Sequence, residues 1–189
     1  MSEIKGQVRE TEDHDPEREA RRRAAFAQIR QYGDPVLRLT ANEVEIFDDD
    51  LQRLVERMAR LMRDANGVGL AANQIGVLRR VLVVQLNEEG AMALVNPQLV
   101  ERSDETRVDD EGCLSLQGVS CPVERASEVI VEAFDPNGNE FRLELEELAA
   151  RVIQHEVDHL DGVLMIDRTT AEARREALGL LRPRLVLGA

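Results

Sequence analysis

The chain has 189 residues, of which 43% are hydrophobic, enough for one globular domain with its own core. Its formal net charge of -13 argues against broad binding to DNA or to an anionic membrane surface, because both need a surplus of Lys and Arg. No apolar signal segment or membrane-length apolar run occurs, and the two cysteines allow one disulfide at most. These features predict a cytoplasmic protein.

In chain order, residues 1–27 are predicted to be an N-terminal extension that is mobile or forms a short surface helix, and residues 28–189 a single domain. Apolar residues recur at helical spacing from 51 to 65, after a cap at Asp48 or Asp49. Residues 79–86 and 92–100 predict two strands, with Pro97 marking an edge or a bulge. A hairpin turning at Asn137-Gly138 follows, then a helix ending at Gly162 and a last helix capped by Thr169 or Thr170.

The stretch QHEVDHLDG, residues 154–162, carries the strongest chemical signal. His155 and His159 are four residues apart, so on a helix both imidazoles lie on one face and can chelate a metal ion. Glu156 beside them can handle the proton of a metal-activated water, as in other H-E-x-x-H sites. The competing interpretation is an amphipathic helix with two histidines at the edge of its apolar stripe.

A catalytic tetrahedral metal needs a third protein ligand and one open position. Glu172 and Glu176 do not lie at a typical zincin spacing, whereas Cys113, in EGCLS before the hairpin, lies where a loop can deliver its thiolate to the helix. Spacing alone slightly favours a small buried hydrophobic role for this cysteine. The glycine-rich stretch 67–76 lacks the lysine and the glycine register of a phosphate-binding loop, and Gln74 is its main polar side chain.

Three blocks, GVGLAANQ at 67–74, EGCLS at 111–115 and QHEVDHL at 154–160, resemble in order and approximate spacing the three motifs of the peptide deformylase family. The resemblance covers about residues 29–168 and implies an α+β fold in which antiparallel strands pack around a central metal-binding helix. It implies a metal-dependent hydrolase that removes the formyl group from the N-terminal formylmethionine of newly synthesised polypeptides and releases formate.

The resemblance also implies a role for each matching residue. Cys113, His155 and His159 would bind one divalent ion, typically Fe2+ in the family, with Zn2+, Ni2+ or Co2+ as substitutes; the ligand types alone do not choose among them. Glu156 would serve as general base and then acid. The side-chain amide of Gln74 and the backbone N–H of Leu114 would stabilise the oxyanion.

The remaining residues implied by the family surround that centre. Gly69 would lie on an edge that pairs with the substrate backbone, and the methionine pocket would be walled by His155 together with Val68, Leu148 and Val152. Asp158 would pair with Arg125 and so hold the cysteine-bearing segment against the metal helix. Gln117 departs from the family, which commonly has proline at that position.

The substrate implies the ribosome as a partner, and the enzyme is predicted to be a monomer. The locally basic C-terminal tail, with Arg174, Arg175, Arg182 and Arg184, could help the protein meet ribosomal RNA, but an ordinary solvated helix face explains these residues equally well. Two other functions fit part of the pattern. A metallopeptidase of the H-E-x-x-H type would share the helix, but neither a cysteine ligand nor GVGLAANQ is expected there. A non-catalytic structural metal site would need a fourth protein ligand, for which Cys121 is the only spare cysteine.

Overall fold

A five-stranded antiparallel sheet and a separate long hairpin surround one buried helix, so the predicted α+β architecture is confirmed. The computed structural model describes residues 4–5, 8–9, 15–87 and 90–181. Its helices are α1 (Pro16–Phe26), α2 (Asp49–Asp64), α3 (Glu147–Leu160) and α4 (Ala171–Leu181). Its strands are β1 (Ile4–Lys5), β2 (Val8–Arg9), β3 (Gly69–Ala71), β4 (Val81–Val84), β5 (Met92–Arg102), β6 (Thr106–Cys113), β7 (Leu116–Ala126), β8 (Glu128–Phe134) and β9 (Glu140–Glu146).

The main sheet has the strand order β3-β4-β5-β8-β9, and all neighbours are antiparallel. All four residues of β4 are buried, as expected of a β-branched strand covered on both faces. β5 is the central strand, so the edge position considered for Pro97 is wrong, whereas the bulge is confirmed. The β5–β8 register shifts between Val95 and Gln98, because proline has no N–H to donate to the ladder.

The β6–β7 hairpin was not predicted from the sequence. These two strands pair from Thr106↔Ala126 to Gly112↔Ser120, and after a register shift Cys113 pairs with Leu116 at the tip. The first five residues of β6 are all exposed, so they lack the alternation of apolar and polar residues that marks a half-covered strand. The hairpin places the thiol of Cys113 beside the metal-motif helix. The prediction that a loop delivers this cysteine is therefore corrected to a hairpin tip.

α3 is the central helix, and every residue from Ala150 to Leu160 is buried. Gly162 follows with φ 72°, the left-handed conformation in which glycine commonly ends a helix, as predicted. α2 packs on the other side of the core through Leu51, Met58, Leu61 and Met62, and the carboxylate of Asp48 caps it by accepting from the Leu51 N–H at 2.9 Å. In the described part of the chain, no helix has the length and apolarity to span a membrane.

The ends of the chain add two helices. α1 lies on the surface with Ala25 buried in the same apolar cluster as α2, so a short surface helix does form within the predicted extension. α4 begins after Thr170, whose hydroxyl oxygen accepts from the Ala173 N–H at 3.2 Å. Arg182 and Arg184 of the basic tail lie outside the described residues.

Candidate metal centre

Cys113, His155 and His159 converge where the tip of the β6–β7 hairpin meets α3. One potential ligand atom from each lies within 4.8 Å of the others, and all three side chains are buried. The sulfur of Cys113 is 3.2 Å from Nε2 of His159, and the two imidazole centroids are 4.9 Å apart. The predicted ligand set is therefore brought together by one helical turn and one hairpin tip.

An unsatisfied nitrogen of His155 indicates a missing partner. Nε2 of this ring has no hydrogen-bond partner among the described residues, although it is buried, and the other ring nitrogen faces Glu111. Leaving a buried polar atom without a partner costs about 1–3 kcal/mol, and coordination to an ion removes that cost. One thiol and two imidazoles suit a divalent transition metal, and the described residues of the cluster include no fourth Cys, His, Asp or Glu. The residues present therefore fit a catalytic type of metal site with an open position.

Glu111, which the sequence analysis left without a role, supports one of the histidines. Its Oε2 lies 2.9 Å from Nδ1 of His155, which leaves Nε2 of that ring directed at the cluster. Burial alone would raise the pKa of Glu111, but hydrogen bonds from His155 and Arg125 and their charges hold that pKa well below its usual value. Burial, with the nearby His155 and Arg125, lowers the pKa of His159.

The predicted Asp158–Arg125 pair is present, inside a larger buried network. Nη1 of Arg125 donates to Asp158 at 2.5 Å, while its Nε and Nη2 donate to the two oxygens of Glu111 at 2.9 and 3.0 Å. Arg168, which the sequence analysis did not single out, donates to both oxygens of Asp158 at 3.1 and 2.7 Å. The hairpin and α3 are thus joined by alternating charges directly behind the metal ligands.

The two polar residues expected to act on a substrate lie beside the ligands. Glu156 is fully buried next to β3. The amide of Gln74 is held at both ends, because its Oε1 accepts from the Ala71 N–H at 2.9 Å and its Nε2 donates to the Ser115 hydroxyl at 3.0 Å. The same Nε2 is 3.7 Å from the sulfur of Cys113, so the amide faces the metal ligands. Ser115 is a positioning contact that the sequence analysis missed.

The predicted substrate-binding residues divide into two groups. Val68, Gly69 and Val152 are buried, whereas Leu148 is 42% exposed on the first turn of α3. β3, which contains Gly69, is an edge strand of the main sheet, and edge strands can accept an extended peptide as an additional strand. The other cysteine, Cys121, is a buried free thiol, and burial raises its pKa to about 11.

Comparison with known proteins decides the family. A family model described as polypeptide deformylase matches residues 26–175. The chain belongs to this family. Among curated relatives, the peptide deformylase of Clostridium botulinum is 48% identical over 146 residues, covering 77% of this chain and 98% of that protein. The deformylase of Acidothermus cellulolyticus is 47% identical over 159 residues, covering 84% and 87%.

Solved structures of the family have the same fold. The peptide deformylase of Thermotoga maritima superposes with a TM-score of 0.73 at 44% identity, covering 75% of this chain and 96% of that chain. The Synechococcus elongatus deformylase in complex with actinonin gives a TM-score of 0.78 at 38% identity, covering 80% and 85%. As a deformylase, the present protein is an enzyme of the hydrolase class, and neither the metallopeptidase nor the structural-metal alternative is favoured.

Proposed function

We propose that this deformylase hydrolyses the N-terminal formyl group of new polypeptides at a divalent metal ion held by Cys113, His155 and His159. The observation that carries the proposal is the convergence of these three ligands, with the buried Nε2 of His155 unsatisfied, beside Glu156 and Gln74. When bound, the ion supplies the Lewis acidity that makes water nucleophilic near neutral pH.

Glu156 is proposed as the proton carrier. It follows His155 directly on α3, so its carboxylate lies within the same turn as the ligands. It would take the proton of the attacking water and deliver it to the nitrogen of the leaving amine, which releases formate and a free N-terminal methionine. Full burial excludes bulk water from this carboxylate and strengthens its interactions with the reacting groups.

Gln74 and Leu114 are proposed as the donors that stabilise the oxyanion. The side-chain amide of Gln74 is fixed by Ala71 and Ser115, so it needs little reorganisation when negative charge develops on the formyl oxygen. Leu114 is the residue after Cys113, at the tip of the hairpin, and its backbone N–H is the second donor. Loss of one such donor typically costs about 10²- to 10³-fold in kcat.

The substrate is proposed to add a strand to β3 at Gly69, which reads the peptide main chain with little dependence on its sequence. Val68, Val152 and His155 would wall the methionine side chain, and Leu148 would close the exposed side of that pocket. Asp158 and Arg125 would hold the cysteine-bearing hairpin against α3.

Several finer points belong to the same proposal. Fe2+ is proposed as the physiological ion, with Zn2+, Ni2+ and Co2+ as substitutes. Residues 28–189 would form the catalytic domain and residues 1–27 its extension. Because the substrate is a nascent chain, the enzyme would act in the cytoplasm at the ribosome, and it is proposed to be a monomer. Light scattering tests the oligomeric state, and co-sedimentation with ribosomes tests the ribosome contact.

The reaction is tested with anaerobically purified protein loaded with Fe2+ or Ni2+. We expect formate release from a formyl-Met tripeptide, and no cleavage of the internal peptide bonds of the same tripeptide without the formyl group. Cleavage of those bonds without formate release would contradict the proposal and would support a metallopeptidase.

The ligand set is tested by a matched pair of buried cysteines. Cys113→Ser is expected to lose tightly bound metal, because a hydroxyl is a much poorer ligand than a thiolate for these ions. Cys121→Ser removes a thiol of similar burial from outside the cluster and is expected to retain one metal per chain. Elemental analysis after gel filtration measures both variants, and equal metal content in the two would refute the role of Cys113.

A further inference from the structure

Arg151 is a buried cation on the same face of α3 as the metal motif. It precedes His155 by four residues, and its side chain is only 6% exposed. Its Nη1 donates to Oε1 of Glu111 at 2.9 Å and to the Val123 carbonyl at 2.8 Å. Its Nη2 donates to the Arg107 carbonyl at 2.8 Å and to the Asp109 carboxylate at 3.2 Å. A buried guanidinium needs this degree of pairing, since an unpaired buried charge is strongly destabilising.

Arg151 reaches the metal ligands through one shared carboxylate. Oε1 of Glu111 accepts from Arg151 and from Nε of Arg125, both at 2.9 Å, while Oε2 accepts from Arg125 and faces Nδ1 of His155. Two guanidinium groups therefore fix the plane of the carboxylate that orients the imidazole. Arg125 divides its charge between Glu111 and Asp158, whereas the other acid that contacts Arg151, Asp109, has a 64% exposed side chain. Glu111 is thus the principal buried counter-charge of Arg151.

Arg151 also connects α3 to both strands of the hairpin that carries Glu111 and Cys113. Its contacts with Arg107 and Asp109 lie on β6, and its contact with Val123 lies on β7. The same side chain therefore sets the position of the Glu111 carboxylate and of the hairpin relative to α3. A displacement of this guanidinium would move the carboxylate and, with it, the ring of His155.

We propose that Arg151 is a positioning residue for the metal centre: through Glu111 it holds His155 with Nδ1 protonated and Nε2 directed at the ion. This inference rests on the ligand set proposed above. Residues that orient a ligand from behind typically change metal affinity by about 10- to 100-fold when they are replaced. The size of the effect separates this role from a purely structural one, provided that a matched structural contact is removed in parallel.

Gln154 offers that matched contact. It is the buried residue before His155, and its side-chain amide joins α3 to β7 by accepting from the Ala126 N–H at 3.2 Å and donating to the Ala126 carbonyl at 3.0 Å. It has no hydrogen bond to Cys113, His155 or His159 among those of the described residues. Gln154→Leu therefore weakens the attachment of α3 to the hairpin without altering the carboxylate behind the histidine.

The experiment compares wild type, Arg151→Met, Arg151→Lys and Gln154→Leu, each loaded with Co2+. The rate of metal loss to excess chelator and the visible absorption spectrum of the bound ion are measured, and urea unfolding monitors stability. We expect Arg151→Met to lose Co2+ about 10- to 100-fold faster than wild type, with an altered spectrum. Arg151→Lys is expected to be intermediate, because an ammonium group cannot reproduce the planar fork of arginine. Gln154→Leu is expected to lose stability but to keep the wild-type rate and spectrum.

The outcomes distinguish this inference from the proposed function. Metal loss from Arg151→Met at the wild-type rate, or accelerated to the same extent as in Gln154→Leu, would overturn the role of Arg151 while leaving the ligand set intact. If Arg151→Met does not fold, Arg151→Lys decides, and a wild-type rate and spectrum in that variant would overturn the role. Failure of the wild-type protein to bind Co2+ would overturn the ligand set and this inference with it.

Discussion

Replacing Gly69 with alanine is expected to disable catalysis while leaving the metal ligands in place. A Cβ atom at this position would collide first with Oε1 of Glu156 and would lie 2.7 Å from its Cδ and 2.9 Å from its Cγ, whereas ordinary contacts begin at 3.4 Å. The carboxylate carbon would have to retreat by about 0.7 Å, from 2.7 to 3.4 Å, and Oε1 by more, although the side chain is fully buried. A misplacement of about 1 Å in a catalytic group costs about 10²-fold in rate. We therefore expect kcat to fall by about that factor.

Formate release and metal content measured on the same samples test this expectation. Gly179→Ala is the control, because the new methyl group on α4 would meet no atom within 4 Å. That variant should keep a kcat close to that of wild type. A wild-type kcat in Gly69→Ala, or an equal loss in both variants, would refute the placement of Glu156 as the proton carrier beside β3.

Two further predictions concern stability. Gly162→Ala should lower the free energy of unfolding by at least about 2 kcal/mol in urea titrations, because φ is 72° and the new Cβ would lie 2.6 Å from the Arg38 carbonyl oxygen. Gly33→Ala, with φ 105° and no atom within 4 Å of the new Cβ, should lower that free energy by only about 1 kcal/mol. Equal losses in the two variants would contradict this reasoning. Burial alone would raise the pKa of Asp167, but hydrogen bonds from Arg38 and the Leu164 N–H and the Arg38 charge lower it. This carboxylate therefore stabilises the fold above its unfolded pKa of about 3.9, and the contribution is lost as the pH falls through the lower folded pKa. Asp167→Asn should cost about 1 kcal/mol at neutral pH, and the cost should shrink below about pH 4. Glu132→Gln, which breaks a half-exposed pair with Arg142, should show almost no cost at either pH, and a pH-independent cost in Asp167→Asn would count against the argument.

Local patterns were sufficient to predict most of the secondary structure and the two-histidine part of the site. The spacing of His155 and His159 depends only on helical geometry, and the caps at Asp48 and Thr170 depend on residues within one turn. The β8–β9 hairpin was visible because alternating strands flank an Asn-Gly turn. Each of these features is determined by neighbours in the sequence.

The parts that could not be predicted depend on contacts between distant segments. Glu111 lies 44 positions from His155, and only the pairing of β6 with β7 brings its carboxylate under that ring. Arg151 and Arg168 look like ordinary helix and surface arginines in the sequence, because their acidic partners belong to other elements or turns. The exposed acidic residues of β6 also concealed the strand that delivers Cys113. Long-range charge pairing leaves no periodic signal in the sequence.

The most direct test of the account is the kcat of Glu156→Gln for formate release, at a metal occupancy measured to equal that of wild type. The amide preserves the size of the side chain but cannot take a proton from water, so kcat should fall by about 10²- to 10⁴-fold while the ion stays bound. A kcat near that of wild type at equal occupancy would contradict the claim that Glu156 acts on the substrate beside Cys113, His155 and His159.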